Sequence, residues 1–191
     1  MDNDTWLLAL GGFPGTGKST VAGLLANDLR IPLLASDLMG NTIKAVLAGH
    51  APAAVPSSVA FRAGYATLFA LAEEFLSHGS SVIVDINLGW RFQWEALDAI
   101  QGRHSAVRLL PFILECSRQT SVTRLEQRHL GDPQRYPPAE EFMNQPQLEA
   151  VDQLLRDVDR PDVHRIDADR PVVDVMERIR AAMAETNRGA R

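Results

Sequence analysis

The sequence predicts an α/β fold, in which a parallel sheet of about five strands is covered by helices on both faces. Short apolar runs alternate along the chain with longer segments whose apolar residues recur three or four positions apart, which is typical of strands joined by crossover helices. Residues 82–86 read Val-Ile-Val-Asp-Ile, as expected of a parallel strand buried on both faces. A chain of 191 residues that is 46% hydrophobic can bury one substantial core, so we expect residues 1–191 to form a single domain.

Each strand candidate is a short apolar run, and each helix candidate has one apolar face. The strands are predicted at residues 5–10, 33–35, 82–86, 107–114 and 163–166. The helices are predicted at residues 18–29, 38–48, 59–78, 91–100, 117–130 and 171–184. Prolines and polar residues mark 49–56 as a loop and 131–146 as a loop or mobile lid, and the tail after Glu185 is expected to fray.

The most specific segment joins the first strand to the first helix. Residues 12–19 read Gly-Phe-Pro-Gly-Thr-Gly-Lys-Ser, the complete G-x-x-x-x-G-K-[ST] pattern of a phosphate-binding loop (P-loop). Its glycines allow backbone N–H groups to point at phosphate oxygens, and the next helix presents its positive N-terminal end to the same anion. The pattern predicts nucleoside triphosphate binding and a P-loop NTPase fold, with a ligand crevice at the carboxyl ends of the strands.

Two side chains of this loop have distinct predicted roles. Lys18 is expected to reach the β- and γ-phosphates, and the Ser19 hydroxyl to ligate Mg²⁺. The chain has only two lysines, Lys18 and Lys44, against seventeen arginines, so chance would rarely place a lysine here. The predicted nucleotide contacts are Gly12, Pro14, Gly15, Thr16, Gly17, Lys18, Ser19 and Thr20.

The candidate catalytic base is Asp37, which directly follows the second predicted strand. In a parallel sheet this position faces the ligand crevice, near the expected site of the γ-phosphate. A carboxylate there can orient an acceptor hydroxyl and take its proton as the phosphoryl group transfers. Asp37 could instead cap the helix predicted to begin at Leu38, and the two roles are compatible.

Asp85 lies at the end of an almost wholly apolar strand. An ionised carboxylate is costly there unless it is paired or near a cation, and Mg²⁺, held directly or through water, would be that cation. A helix cap or an arginine partner is the alternative. Candidate acceptor contacts on the following loop and on the long helix are Asn87, Trp90, Arg91 and Arg62, with solvated surface side chains as the alternative.

Arg124 and Arg128 are four residues apart on a predicted helix and therefore share a face. They precede the proline-rich segment 131–146, so they are candidates to close over the triphosphate and neutralise charge on the transferred group. Arg135, within that segment, is a third candidate. The alternative is a solvated face on which the arginines pair with Glu126 or neighbouring acids.

Composition argues against several other classes. A net charge of −5 and a pI near 5.5 leave no basic field for long nucleic acids. The single cysteine, Cys116, excludes an internal disulfide and is interpreted as a buried apolar residue, and the five histidines lack metal-ligand spacing. No apolar stretch of about 18 residues is present to span a bilayer. We therefore expect a cytoplasmic protein; its oligomeric state is left open.

With the P-loop, Asp37, Asp85 and the arginine pair in place, the chain resembles the small P-loop kinases of the zeta-toxin-like or AAA_33 type. That group includes chloramphenicol phosphotransferase and the kinase domain of polynucleotide kinases. The resemblance spans nearly the whole chain, although only the P-loop is highly specific. It implies an ATP–Mg²⁺ donor, Asp37 as the general base, and Arg124 and Arg128 as lid arginines.

One departure from that family concerns the acceptor. Several relatives carry an arginine three residues after the strand-end aspartate to bind an acidic group, but this chain has Gly40. Together with the acidic net charge and with Leu88, Trp90 and Phe92 on the loop expected to wall the pocket, Gly40 favours a neutral or weakly charged acceptor.

The first functional hypothesis is therefore an ATP-dependent kinase that phosphorylates a hydroxyl of a small molecule, such as a metabolite or an antibiotic. A kinase of nucleotide or polynucleotide ends is one alternative, although it would need a basic groove. A regulatory ATP-binding NTPase switch is another. The role of Asp37 distinguishes a kinase from an NTPase switch. A phosphotransferase needs a base for its acceptor, whereas a hydrolase needs a residue that positions water.

Overall fold

The computed structural model describes residues 5–50, 56–134 and 136–189. Five strands form one parallel sheet: β1 (Thr5–Gly12), β2 (Leu33–Ala35), β3 (Val82–Asp85), β4 (Val107–Glu115) and β5 (His164–Asp167). Their order across the sheet is β2-β3-β1-β4-β5. Strand β1, which leads into the P-loop, is therefore central, and the predicted parallel α/β sheet is confirmed.

The described residues also form eight helices. They are α1 (Lys18–Leu29), α2 (Ser36–His50), α3 (Ser57–Ser77), α4 (Arg91–Arg103), α5 (Arg118–Gly131), α6 (Ala139–Met143), α7 (Pro146–Arg156) and α8 (Val172–Gly189). Two apolar clusters form the core. Leu7 of β1 packs with residues of α3, α4 and α7, whereas Leu8 packs with residues of α1 and α8. Because successive strand residues point to opposite faces, the helices cover both faces of the sheet.

Most helix boundaries differ from the prediction by a few residues, and two of these differences affect predicted features. Helix α2 begins at Ser36 rather than at residue 38, which places Asp37 inside its first turn. Helix α8 continues to Gly189, so the expected fraying directly after Glu185 is wrong. The backbone carbonyl of Thr186 accepts a hydrogen bond of 2.9 Å from the Arg108 guanidinium of β4, which ties this last turn to the sheet.

The segment 131–146, predicted to be a loop or lid, contains helix α6 and is followed by α7, which the sequence analysis did not assign. Helix α6 is anchored because Ala139 is buried and its backbone N–H donates to Glu126 Oε1 at 3.0 Å. Helix α7 buries one apolar face. Its buried residues recur at helical spacing, a signal that was present in the sequence: Leu148, Val151 and Leu155.

Helices α2 and α3 cross where two glycines meet. A Cβ atom at Gly64 would lie 2.7 Å from the backbone N of Gly40, and one at Gly40 would lie 2.5 Å from the Phe61 ring. Both distances are shorter than van der Waals contact, so a side chain at either position would push the helices apart. The missing arginine at position 40 is thus explained by helix packing and carries no information about the acceptor.

Candidate active site

Helix α5 holds the P-loop in its conformation. The Ser121 hydroxyl donates to the Pro14 carbonyl at 2.7 Å, and Arg124 Nη1 donates to the Thr16 carbonyl at 2.9 Å. Arg124 Nη2 also donates to the carbonyl of Ala168, after β5, at 2.9 Å. Because three backbone carbonyls are satisfied by one helix, the loop is pre-organised for an anion.

Gly15 permits this close contact between the P-loop and α5. Its φ is +83°, and a Cβ atom there would lie 2.7 Å from the Ser121 carbonyl oxygen. Only glycine combines that backbone conformation with that proximity. A substitution at Gly15 would therefore displace the loop or α5.

A cavity of about 370 Å³ opens directly beside the P-loop. Residues 15–20, four of them with polar side chains, line it. Arg124, Arg170, Val172 and Val175 also belong to the lining. The cavity therefore combines phosphate donors with apolar and cationic side chains, which suits a nucleotide.

Two predicted nucleotide contacts lie outside that cavity. The Gly12 backbone N–H donates to the Asn87 carbonyl at 3.0 Å, and the Pro14 carbonyl accepts from Ser121. These two residues stabilise the conformation of the loop and do not line the cavity. The remaining predicted contacts, Gly15 to Thr20, line the cavity.

Asp85 is the last residue of β3 and lies in register with Leu10 of β1 and Ala35 of β2. Its exposure is only 6%. Burial raises the pKa of its carboxyl group, while the Lys18 ammonium and a hydrogen bond with Ser19 oppose that rise. Its Oδ1 atom is buried and has no hydrogen-bond partner among the residues described.

These features fit a divalent cation. A buried carboxylate oxygen without a donor, next to the Ser19 hydroxyl, is the hard oxygen set that Mg²⁺ prefers. Asp85 does not cap a helix, because the N-cap of α4 is Trp90. Ser19 and Asp85 are therefore the residues that could hold the metal.

Asp37 lies in the first turn of α2 and is exposed. The interpretation of Asp37 as the cap of a helix beginning at Leu38 is wrong, because α2 already begins at Ser36. Its charge is close enough to Asp85 to raise the pKa of that carboxyl group further. Asp37 and Asp85 therefore lie near one another, at the carboxyl ends of β2 and β3.

Sequence reasoning missed two residues here, Tyr65 of α3 and Gln93 of α4. The Tyr65 hydroxyl reaches the Ser36 side chain. Burial is the main reason that the pKa of Tyr65 is raised, and the nearby charges of Asp37 and Asp85 raise it further. Gln93 is fully buried beside Tyr65. Its Oε1 accepts from the Trp90 backbone N–H at 3.2 Å, while its Nε2 has no hydrogen-bond partner in the described part of the chain. No local motif marks either residue.

The loop after β3 is bound largely to itself and to the P-loop. Asn87 Oδ1 accepts from the Gly89 N–H at 2.8 Å, which ties the side chain of this predicted acceptor contact to its own loop. Leu88 has φ +60° and is fully buried. A Cβ atom on Gly11 would lie 2.6 Å from the Leu88 side chain. The expectation that Leu88 walls the acceptor pocket is therefore wrong.

The other predicted acceptor residues separate into two groups. The Arg91 side chain is 91% exposed and its Nε donates to Glu95 at 2.7 Å, so it lies on the outer surface of α4. Trp90 is half-buried against the core. Arg62, by contrast, lies over the Phe92 ring, next to Tyr65.

The two helix α5 arginines differ in their contacts. Arg124 donates hydrogen bonds to backbone carbonyls of the P-loop and of Ala168. Arg128 is exposed, stacks on Tyr136 at 4.5 Å, and lies near enough to Asp85 to lower the pKa of that group. Glu126, the alternative partner of both, instead accepts from Ala139. Arg135 lies outside the described residues.

Three other features of the described residues were considered as functional: the single cysteine, metal-binding clusters and membrane-spanning helices. Cys116 is half-buried, and burial raises the pKa of its thiol. Within the ranges described, no three histidine, cysteine, aspartate or glutamate side chains cluster as a metal site. None of the described helices is long and apolar enough to cross a membrane.

The chain matches the model of a known protein family. The family model AAA_33, described as an AAA domain, matches residues 7–148. No curated protein matches the chain in sequence.

Three solved structures are similar over nearly their whole length. A candidate kinase from Chloroflexus aurantiacus is 18% identical, with 95% of this chain and 97% of that one covered and a TM-score of 0.66. A sugar kinase from Janibacter sp. is 16% identical, with 94% and 95% covered and a TM-score of 0.63. A gluconokinase from Sinorhizobium meliloti is 16% identical, with 98% and 96% covered and a TM-score of 0.61. At such identities the similarity establishes the fold.

Proposed function

The chain belongs to the AAA_33 family, and from that premise we propose that it is an ATP-dependent kinase that phosphorylates a hydroxyl group of a small molecule. The observation that carries the proposal is the convergence of Lys18, Ser19, Asp37 and Arg128 around the buried carboxylate of Asp85. A cation for the phosphates, a metal-binding pair and a second carboxylate are the parts that phosphoryl transfer needs. The names of the sugar kinase and gluconokinase neighbours support a polyhydroxylated acceptor.

In this proposal the nucleotide occupies the cavity beside the P-loop. Lys18 and the backbone N–H groups of the loop hold the β- and γ-phosphates, and Arg170 and Val172 contact the nucleoside end. Arg124 stabilises the conformation of the loop through its hydrogen bond to Thr16 and also lines the cavity. ATP is assigned from the family resemblance.

Phosphoryl transfer then requires a base and neutralisation of charge. Asp37 takes the proton of the acceptor hydroxyl as the hydroxyl oxygen bonds to the γ-phosphorus; the bond to the β,γ-bridging oxygen breaks and leaves ADP. Arg128 neutralises charge on the transferred group. Mg²⁺ held by Ser19 and Asp85 would stabilise negative charge on the phosphate oxygens.

The direct test is a screen of small alcohols and sugars for ATP-dependent phosphorylation, read by mass spectrometry. A mass increase of one phosphate on an acceptor, with one ADP released for each, is the expected result. ATP hydrolysis that is unchanged by every acceptor would instead favour a regulatory NTPase.

Asp85→Asn is expected to raise the Mg²⁺ concentration needed for activity and, in metal-free protein, to raise the melting temperature. The reason for both effects is the same: the carboxylate binds the cation, but its charge is costly to bury without one. Each kcal/mol gained would raise the melting temperature by about 2–4 °C in a domain of this size. The measurements are a Mg²⁺ titration of activity and thermal unfolding in EDTA.

Asp159→Asn, at an exposed position, is the matched control and should change neither quantity. A Mg²⁺ titration of Asp85→Asn that matches wild type would make Asp85 structural.

The segment 131–146 is expected to exchange amide hydrogens more slowly when a nonhydrolysable ATP analogue is bound. Arg128, at its base, stacks only on Tyr136 among the contacts seen here and gains a phosphate partner in the complex. Helix α4, none of whose residues lines the cavity, serves as the internal reference. Equal protection of 131–146 with and without the analogue would show that it is no lid.

A further inference from the structure

Arg62 of α3 is a described arginine with which no acidic side chain pairs. Its guanidinium carbon lies 4.4 Å from the centroid of the Phe92 ring, and within the described ranges no carboxylate bonds to it. Seven other arginines form ion pairs: Arg91, Arg103, Arg156, Arg160, Arg165, Arg170 and Arg180. Arg62 therefore has hydrogen-bond donors to offer.

A short series of contacts joins Arg62 to the candidate base. The Phe92 ring meets the Tyr65 ring edge-on, with centroids 5.2 Å apart and an interplanar angle of 75°. The charge of Asp37 is in turn near enough to Tyr65 to raise the pKa of its hydroxyl. Arg62 and Tyr65 are three residues apart on α3 and so share one face of that helix. Arg62 thus lies on the Asp37 side of the site, separated from Asp37 by two aromatic rings.

The stacked arrangement leaves the edge of the guanidinium available. An arginine that lies flat on an aromatic ring can still donate two parallel N–H bonds from its edge to a carboxylate. Stacking also restricts the side chain before any ligand arrives, which reduces the entropy cost of binding. Because Asp37 and Asp85 make this end of the site negative, an anionic group on an acceptor would need such a cation nearby.

We propose that Arg62 is a specificity-determining residue that selects acceptors bearing a carboxylate in addition to the hydroxyl that is phosphorylated, as sugar acids do. The inference rests on the proposed kinase function and deepens it. It replaces the neutral acceptor expected from the sequence, since Gly40 is explained by helix packing and Leu88 is core.

The test compares acceptors that differ only in the carboxylate. D-gluconate with D-glucitol, and D-glycerate with glycerol, are two such pairs, and kcat and KM are measured for each with saturating ATP. Wild type is expected to prefer the acid of an accepted pair by about 10-fold or more. Arg62→Met, which keeps an apolar stem over Phe92, is expected to lose that preference, about 10–100-fold in kcat/KM for the acid, through KM, and to lose much less on the neutral partner.

Two further variants make the outcome decisive. Arg62→Lys keeps the charge but not the two-pronged geometry and should retain part of the preference. Arg178→Met, at an exposed position of α8, is the matched control and should behave as wild type. Circular dichroism and ATP affinity check that each variant is folded.

Each contrary result has a separate meaning. Equal use of acid and neutral partners by wild type, or an equal loss on both in Arg62→Met, would overturn the inference and leave the kinase proposal standing. Phosphorylation of no member of any pair, in protein that binds ATP, would remove the proposed function and this inference together.

Discussion

Lys18→Ala is expected to lower ATP-dependent phosphoryl transfer by about 10³-fold while leaving the fold nearly intact. The side chain lines the nucleotide cavity and lies near Asp85, so its loss removes the charge that holds the β- and γ-phosphates and leaves two carboxylates beside them. Because Lys18 is only half-buried, the stability cost should be small. Steady-state kinetics and thermal unfolding measure the two effects.

The chain supplies a matched control for this experiment. Lys44, the only other lysine, is exposed on α2, so Lys44→Ala makes the same chemical change away from the cavity. Its activity should equal that of wild type. Wild-type turnover in correctly folded Lys18→Ala protein would end the assignment of the P-loop as the phosphate site.

Asp37→Asn is expected to reduce transfer by roughly 10²-fold or more, about 2.7 kcal/mol in the barrier, with ATP affinity retained. The amide keeps the shape of the side chain but cannot take the proton of the acceptor hydroxyl. The measurements are kcat and the dissociation constant of ATP. Asp174→Asn, which alters an acidic residue in the first turn of α8, is the control, because both substitutions remove a charge that favours a helix N-terminus.

If Asp37→Asn and Asp174→Asn were equally active, Asp37 would serve only the stability of α2. A fall in ATP affinity without a fall in kcat would instead assign Asp37 to nucleotide binding. Tyr65 is relevant to either result, since its hydroxyl reaches Ser36, the residue before Asp37, and so helps to position the first turn of α2.

The sequence alone predicted the sheet, most helix positions and the P-loop between β1 and α1. Short-range rules suffice for these features: apolar runs and helical spacings identify elements, and a P-loop needs its glycines and lysine within eight consecutive residues. Asp37 and Asp85 could be named for the same reason, because Asp85 ends β3, Asp37 lies two residues after β2, and strand ends meet at one edge of a parallel sheet.

Only the tertiary structure decided what surrounds those residues. Glycine is required at position 40 because Phe61 and Gly64 of another helix pack against it. Leu88 belongs to the core because it packs on Gly11. Arg124 donates hydrogen bonds to carbonyls of a loop more than a hundred positions earlier. Tyr65, Gln93 and the free edge of Arg62 are likewise products of contacts between α2, α3 and α4. Such contacts join residues far apart in the chain, and their geometry depends on how helices cross, which no local pattern of residues encodes.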